Sequence, residues 1–374
     1  MLRLPGTLMR GGTSKCWIFD ARDLPPGATE AGGRLEEVLA SAFGARDPRQ
    51  IDGVGGATST TSKAAIVRPS TEDGVDVEYL FAQVGIGTPG VEWGSNCGNC
   101  ATAVGLYALL NGLAPATAPH STVVMRNRNT GVRLSATVPT PHGTVPELGA
   151  ATVPGSLATG VPVGLGFRHP SGASTGALLP TGAPVDTLDG GIPATLVDAG
   201  APAVLAGAAA LGATGLEHPE AFAALVPALA TLRRAAALRM GLATDRDPIS
   251  HAIPKVGVVA LPGDYLTTLG DQVKGSDYDV AVRMVSMHAP HPAIGLTSAV
   301  AVAAAVLTPG TIPAQLAENR PSASVIRLGT PAGVVTAEAE TDSAGTVRLI
   351  TLHRAARRIA TAQLLVPALL QESV

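Results

Sequence analysis

Three short loops hold residue types from which acid–base chemistry on an anion can be built. They are Met9-Arg10-Gly11-Gly12-Thr13-Ser14-Lys15, Gly55-Gly56-Ala57-Thr58-Ser59-Thr60-Thr61-Ser62-Lys63 and Gly94-Ser95-Asn96-Cys97-Gly98-Asn99-Cys100. The first two share a plan of paired glycines, hydroxyl residues and a closing Ser-Lys. Glycines let the backbone turn its N–H groups toward an anion, hydroxyls add donors and the lysine adds charge. A polycarboxylate suits this lining. Phosphate fits poorly, because neither loop ends in the Gly-Lys-Ser/Thr of a P-loop. A hairpin turn with a solvated lysine is the plainer alternative for either loop alone; two near-copies in one chain weaken it.

The third loop sets Cys97 just before an expected helix. Unpaired N–H groups and the positive dipole end of a helix stabilise a thiolate and attract a carboxylate. A cysteine so placed can exchange a proton with a carbon acid, provided nearby donors hold the enolate-like charge. The commonest alternative is an inert buried cysteine, against which the flanking Asn and Gly argue. Cys97-x-x-Cys100 also spells a redox pair, although no thioredoxin-type strand–helix order surrounds it. With His288 and His291 it makes a Cys2His2 set on paper, its two pairs far apart in the chain. The two histidines either line a site or cap turns beside Pro290 and Pro292; both readings stay open. Asn127-Arg128-Asn129-Thr130 reads as a plain hairpin corner.

The elements that must position these loops are short. Residues 63–67, 75–81, 122–125 and 131–138 are β-rich runs bounded by turn residues. Residues 100–111 have helical spacing and stop at Gly112, which suits a C-cap. Residues 219–240 are helical in composition, with Pro227 expected to split or kink them. Strands are expected again at 256–261, 334–339, 347–352 and 359–366, and a buried helix at 297–307. Residues 140–193, rich in Gly, Pro, Thr and Ala, read in part as a bridge between two halves. The segment Ser95 to Gly105 can be laid against His291 to Ala301, each leading from a small-residue loop into an apolar helix. On that alignment Ala293 falls where the first half has Cys97.

Composition narrows the class. At 374 residues the chain can form two domains with buried cores. Charged residues are 15%, hydrophobic residues 46% and aromatics 3%, with 44 Gly and 30 Pro, which indicates a compact, turn-rich fold of short elements. A net charge of −3 gives no electrostatic case for nucleic acid or an anionic membrane. The apolar stretch at 298–307 is far short of the ~20 residues of a membrane span. Three cysteines cannot make a disulfide scaffold, and no signal-peptide core follows Met1. The expectation is a cytoplasmic protein.

The strings MRGGTSK, GGATSTTSK and NCGN together resemble the PrpF-like family, which includes 2-methylaconitate isomerases, 4-oxalomesaconate tautomerases and methylitaconate isomerases. RNRNTG at 126–131, MGL at 240–242, PK at 254–255 and PGT at 309–311 add weaker matches in order along the chain. The resemblance implies an α/β (α+β) diaminopimelate epimerase-like fold: two pseudo-symmetric halves, each a curled mixed sheet around a central helix. The first would be residues 1–185, completed by a C-terminal strand at 357–374. The second would be residues 186–356, with its helix near 293–307.

Epimerases of this fold oppose two cysteines, whereas the PrpF-like pattern pairs Lys63 with Cys97 as acid and base. The resemblance implies a cofactor-independent, metal-free isomerase or tautomerase that shifts a proton on a small unsaturated di- or tricarboxylic acid. Arg10, Ser14, Lys15, Ser59, Thr60, Ser62, Asn96, Gly98, Asn99, His288, Thr297 and Ser298 would bind the substrate. Cys16 and Cys100 depart from the family pattern, which has Gly and an apolar residue there, so a specialised-metabolism substrate is one alternative. A non-catalytic carboxylate-binding accessory protein of an aconitase-like dehydratase is another, and a thiol–disulfide enzyme a third. No nucleic acid or membrane partner is expected, and association into a homo-oligomer is left open.

Overall fold

The computed structural model describes residues 1–94, 97–247, 253–319 and 321–367. The chain forms two compact units, Met1–Gly166 with the chain from Arg354 on, and Phe167–His353.

In the first unit, strands β1 (Leu2–Gly11) and β2 (Ser14–Asp20) form a hairpin, and helix α1 (Gly33–Phe43) leads to β3 (Lys63–Pro69), parallel to β2. β4 (Val77–Val84) returns antiparallel to β3 and pairs with the short β5 (Val91–Glu92). Helix α2 (Gly98–Leu110) then crosses over to β6 (His120–Asn127), parallel to β4 and paired with β7 (Arg133–Pro139). Both helices sit where parallel neighbours require a crossover.

The two helices differ because their sequences do. α1 buries one face, with Leu35, Val38, Leu39 and Phe43 packed against Ala64, Ile66 and Leu80. α2 is buried almost all round, from Cys100 to Leu109, and so must be a core helix. Alternation along β3 turns Ala64 and Ile66 to α1 and leaves Lys63 on the other face, toward α2. The expected stop at Gly112 is a Schellman-type end: Gly112 has φ +66° and donates to the Leu109 carbonyl, while Leu113 donates to that of Ala108.

Residues 140–193 do contain the boundary between the two units, between Gly166 and Phe167, but it falls within a strand rather than a loose linker. They contain β8 (Ala151–Val153), the 13-residue β9 (Ser156–Arg168), and β10 (Asp186–Leu188), with β9 paired to β7. Its glycines and Pro162 hide a strand that exists because its neighbours pair with it.

The second unit repeats this order of pairings. β11 (Ile192–Ala199) and β12 (Ala201–Gly207) form a hairpin. Helices α3 (Pro219–Phe222) and α4 (Val226–Arg239) lead to β13 (Lys255–Ala260), parallel to β12. The break falls at residues 223–225, leaving Pro227 in the first turn of α4, where its missing N–H costs nothing. The helical run Pro219–Arg239 has 21 residues and the apolar composition of a membrane span, longer than the stretch at 298–307. Its Leu229, Leu232 and Ala236 nevertheless pack in the core with Val256 and Val258.

After a small hairpin of β14 (Tyr265–Leu266) and β15 (Gln272–Val273) come β16 (Val280–Ser286), antiparallel to β13, and β17 (Ala289–Pro290). The buried helix α5 (Leu296–Val306) and short α6 (Ile312–Leu316) cross to β18 (Val325–Thr330), parallel to β16, and β19 (Gly333–Thr341). The two strands expected at 347–352 and 359–366 are one, β20 (Val347–Val366). No Gly or Pro interrupts it. Its first part pairs with β19 and its last part with β1.

Candidate active site

Lys63 opens β3, 9% exposed. Its ammonium donates to Gln83 Oε1 at 2.5 Å, directly across the ladder, and lies 5.1 Å from the Phe81 ring centroid. Gln83 is itself tied by Nε2 to the Ser62 carbonyl, at 3.0 Å. Phe81 is fixed by Asn129, whose Oδ1 accepts from the Phe81 N–H and whose Nδ2 donates to the Phe81 and Trp93 carbonyls, at 2.7–2.8 Å. The corner at 127–130 is thus more than a turn. It clamps the strand under the lysine.

Cys97 is the N-cap of α2, its carbonyl accepting from the Ala101 N–H at 2.9 Å. Its side chain hydrogen-bonds with Cys100 in the first turn, and Cys100 in turn with Cys16 of β2. The hydrogen bond with Cys100, followed by burial, holds the Cys97 thiol well above its ordinary value, while Lys63 pulls it down. Burial disfavours the Lys63 charge, but the sulfurs of Cys97, Cys100 and Cys16, with Glu92, outweigh it and raise the lysine. At neutral pH the resting pair is therefore ammonium and thiol. Raised thiols are the reverse of what a Cys-x-x-Cys redox site needs.

Arg10 is buried and donates to the Gly12 and Thr159 carbonyls, each at 2.8 Å. Asn99 joins three elements: its Nδ2 reaches Thr13 Oγ1 at 3.0 Å and Ser14 Oγ at 3.4 Å, and its Oδ1 accepts from Arg354 at 3.1 Å. Two glycines make this approach possible. A Cβ on Gly11 would lie 1.9 Å from the Asn99 carbonyl oxygen, and one on Gly12 would lie 2.1 Å from Asn99 Oδ1.

Of the residues expected to bind substrate, Gly98 opens α2, Asn99 and Ser14 meet at its first turn, and Arg10 is tied to the adjoining β1–β2 turn at Gly12. Lys15 alternates outward and is exposed, its N–H held by the Thr60 carbonyl at 2.9 Å. Ser59 and Thr60 are exposed. Ser62 is not free for a ligand, because its hydroxyl is spent on Gln50 Oε1 at 2.6 Å. Asn96 lies outside the described residues.

In the second unit Thr297 and Ser298 are in the first turn of α5, and His288 is an exposed residue between β16 and β17. His291 caps a turn, its Nδ1 accepting from the Ala293 N–H at 3.0 Å. Among the described residues no three His, Cys, Asp or Glu side chains converge as metal ligands. The α5 carbonyl that accepts from the Ala299 N–H, at 2.9 Å, belongs to Gly295. The counterpart of Cys97 is therefore Gly295, two residues beyond Ala293. Lys255 opens β13 as Lys63 opens β3, a correspondence hidden by the differing lengths of the crossovers.

A family model described as PrpF protein matches residues 1–367. The chain belongs to the PrpF family. It is 37% identical over 377 residues to the 2-methyl-aconitate isomerase of Cupriavidus necator, covering 95% of each chain. With the (4E)-oxalomesaconate Delta-isomerase of Novosphingobium sp. it shares 37% identity over 359 residues, again covering 95% of each. The crystal structure of a methylitaconate-delta-isomerase superposes with a TM-score of 0.87 at 33% identity, covering 97% of this chain and 95% of that one. A hydroxyproline epimerase from Agrobacterium vitis, at 12% identity and a TM-score of 0.51, shares the fold alone. Like these PrpF-family relatives, the chain is an isomerase.

Within this PrpF-family protein, sequence reasoning missed Arg354 and Gln83, and it read Asn129 only as part of a plain hairpin corner. The first carried no local signal, since it lies between His353 and Arg358 in the gap between two expected strands. The other two touch Lys63 or its platform only through tertiary pairing. Cys16 and Cys100, the departures from the family pattern, both end against Cys97 or its partner.

Proposed function

We propose that this isomerase shifts a proton across the double bond of a small unsaturated di- or tricarboxylic acid, with Lys63 and Cys97 as its acid and base. One group, after giving up its own proton to solvent, takes a proton from the carbon beside a carboxylate. The other returns a proton at the far end of the allylic system, so that the double bond migrates or changes geometry. The proton balance closes on these two side chains and solvent, without a metal or coenzyme. The observation that supports the reading is the placement of Cys97 as the N-cap of α2, with Asn99 in the first turn bonded to Ser14 and Arg354, while the buried Lys63 ammonium lies on the face of β3 turned to α2. There, enolate-like charge meets cations and N–H groups. Three free thiols suit a reducing compartment, which supports a cytoplasmic location.

Proton NMR in deuterated water tests this with methylaconitate, methylitaconate and oxalomesaconate. At least one acid should lose C–H signal and isomerise faster than in buffer. Lys63→Ala should slow the loss by about a hundredfold or more. No exchange with any of the three, or a Lys63→Ala protein as fast as the wild type, refutes the assignment.

A further inference from the structure

Arg354 lies in β20, 5% exposed. Its Nη2 donates to Asn99 Oδ1 at 3.1 Å, while its Nε is buried without a hydrogen-bond partner. Among the described residues no carboxylate forms an ion pair with it. Nor does one pair with Arg10, whose two Nη atoms are spent on main-chain carbonyls. Asn99 is in the first turn of α2, so the guanidinium stands at the positive end of a 13-residue helix.

Left alone, this arrangement is unfavourable, because a buried cation is costly unless an anion or a full set of acceptors meets it. Burial, then Arg10, draws Arg354 down to about 10, and Cys97 acts in the opposite sense. Arg354 still carries its charge at neutral pH, and a negative charge at Cys97 is felt there. The direction of the guanidinium is set by Asn99, itself anchored on Thr13 and Ser14. It is set also by Gly12, where a Cβ would lie 2.7 Å from Arg354 Nη2. The result is a planar, oriented cation beside the proposed acid–base pair, lacking a counter-ion.

We infer that Arg354 binds a carboxylate group of the substrate, with Asn99 as the positioning residue that aims it. A guanidinium presents a rigid fork of donors that matches a carboxylate in two parallel hydrogen bonds. This rests on the isomerase reading and adds to it the group that recognises an acid. A residue that only braced Asn99 would not need charge or an unfilled donor.

The test uses the whole chain and tricarballylate, a saturated tricarboxylate that has no double bond to move. Its binding is measured by calorimetry, alongside KM and kcat for whichever acid is turned over. Arg354→Met should weaken tricarballylate about tenfold or more and raise KM more than it lowers kcat. Arg354→Lys, which keeps the charge without the fork, should fall between. Added methylguanidinium should restore part of the binding to Arg354→Ala. Binding by Arg354→Met within twofold of wild type overturns the inference. So does equal loss in the Met and Lys variants with no rescue, which marks a structural role. A wild type that neither binds tricarballylate nor exchanges any unsaturated acid instead overturns the isomerase reading on which the inference stands.

Discussion

Cys97 does not act on its own pKa: the largest influence on its thiol is Cys100, one helical turn along. Replacing Cys100 by Ala removes that hydrogen bond and leaves Lys63 to pull the thiol down. In the Cys100→Ala protein the thiolate of Cys97 should form at lower pH than in wild type. Following thiolate absorbance near 240 nm against pH, with Cys97→Ser as the blank, checks this; an unmoved or higher titration contradicts the coupling. Because ammonium and thiol are the resting forms, wild-type turnover should climb from neutral into alkaline pH. At this scale the sequence was informative where residue type alone carries meaning, as with Lys63 and Cys97. It was silent on Gln83 and Arg354, and it gave Asn129 only a place in a hairpin corner. Each of these is an ordinary polar residue until pairing puts it beside the lysine or the helix end.

The start of α2 works because the turn between β1 and β2 can press against it. Gly11 brings its backbone so close to the Asn99 carbonyl that no side chain fits. Gly11→Ala should therefore push the turn off the helix. It should lower stability by about 2 kcal/mol and reduce turnover together; a melting curve and a rate measurement decide it. A variant with wild-type melting and turnover would mean the approach is not needed. Elements were legible where they were local. α2 and α5 were readable from continuous apolar runs, and the end of α2 from Gly112. The strand β9 was not, since its Gly and Pro residues look like linker until β7 pairs with it. The continuity of β20 was also missed, because its middle, with His353, Arg354, Arg357 and Arg358, reads as a charged interruption. Arg354 is nevertheless buried there.

Over the whole molecule, acid stability has two stages. His291 is held down to about 4 by burial and by Lys255, and its Nδ1 accepts a hydrogen bond that only the neutral ring can take. The unfolded chain protonates this histidine near pH 6.5, so between those values it binds more protons and stability falls as pH falls. The loss is on the order of 3 kcal/mol at most. Below that range follow carboxylates held under their ordinary values. They include Glu78 and Asp20, in which hydrogen bonds from arginines outweigh burial. Their contribution is present above the unfolded value and lost as pH falls through the folded one. Thermal melts against pH should show both stages. His291→Asn, which keeps an acceptor but cannot titrate, should remove the first; a wild-type decline between pH 6.5 and 4 in that variant contradicts the assignment.

The residues by themselves determined the local chemistry: two Gly-rich loops ending in lysine, a thiol ahead of an apolar helix, and motifs enough to name the family. Those signals lie within a few residues of one another, where backbone freedom and side-chain type act directly. Only the tertiary structure decided which donors remain for a ligand. Ser62 is consumed by Gln50 and Lys15 turns outward, while Arg354 arrives from a distant strand with its charge unanswered. Strand register and helix burial assign those partners, and both depend on contacts between residues far apart in the chain.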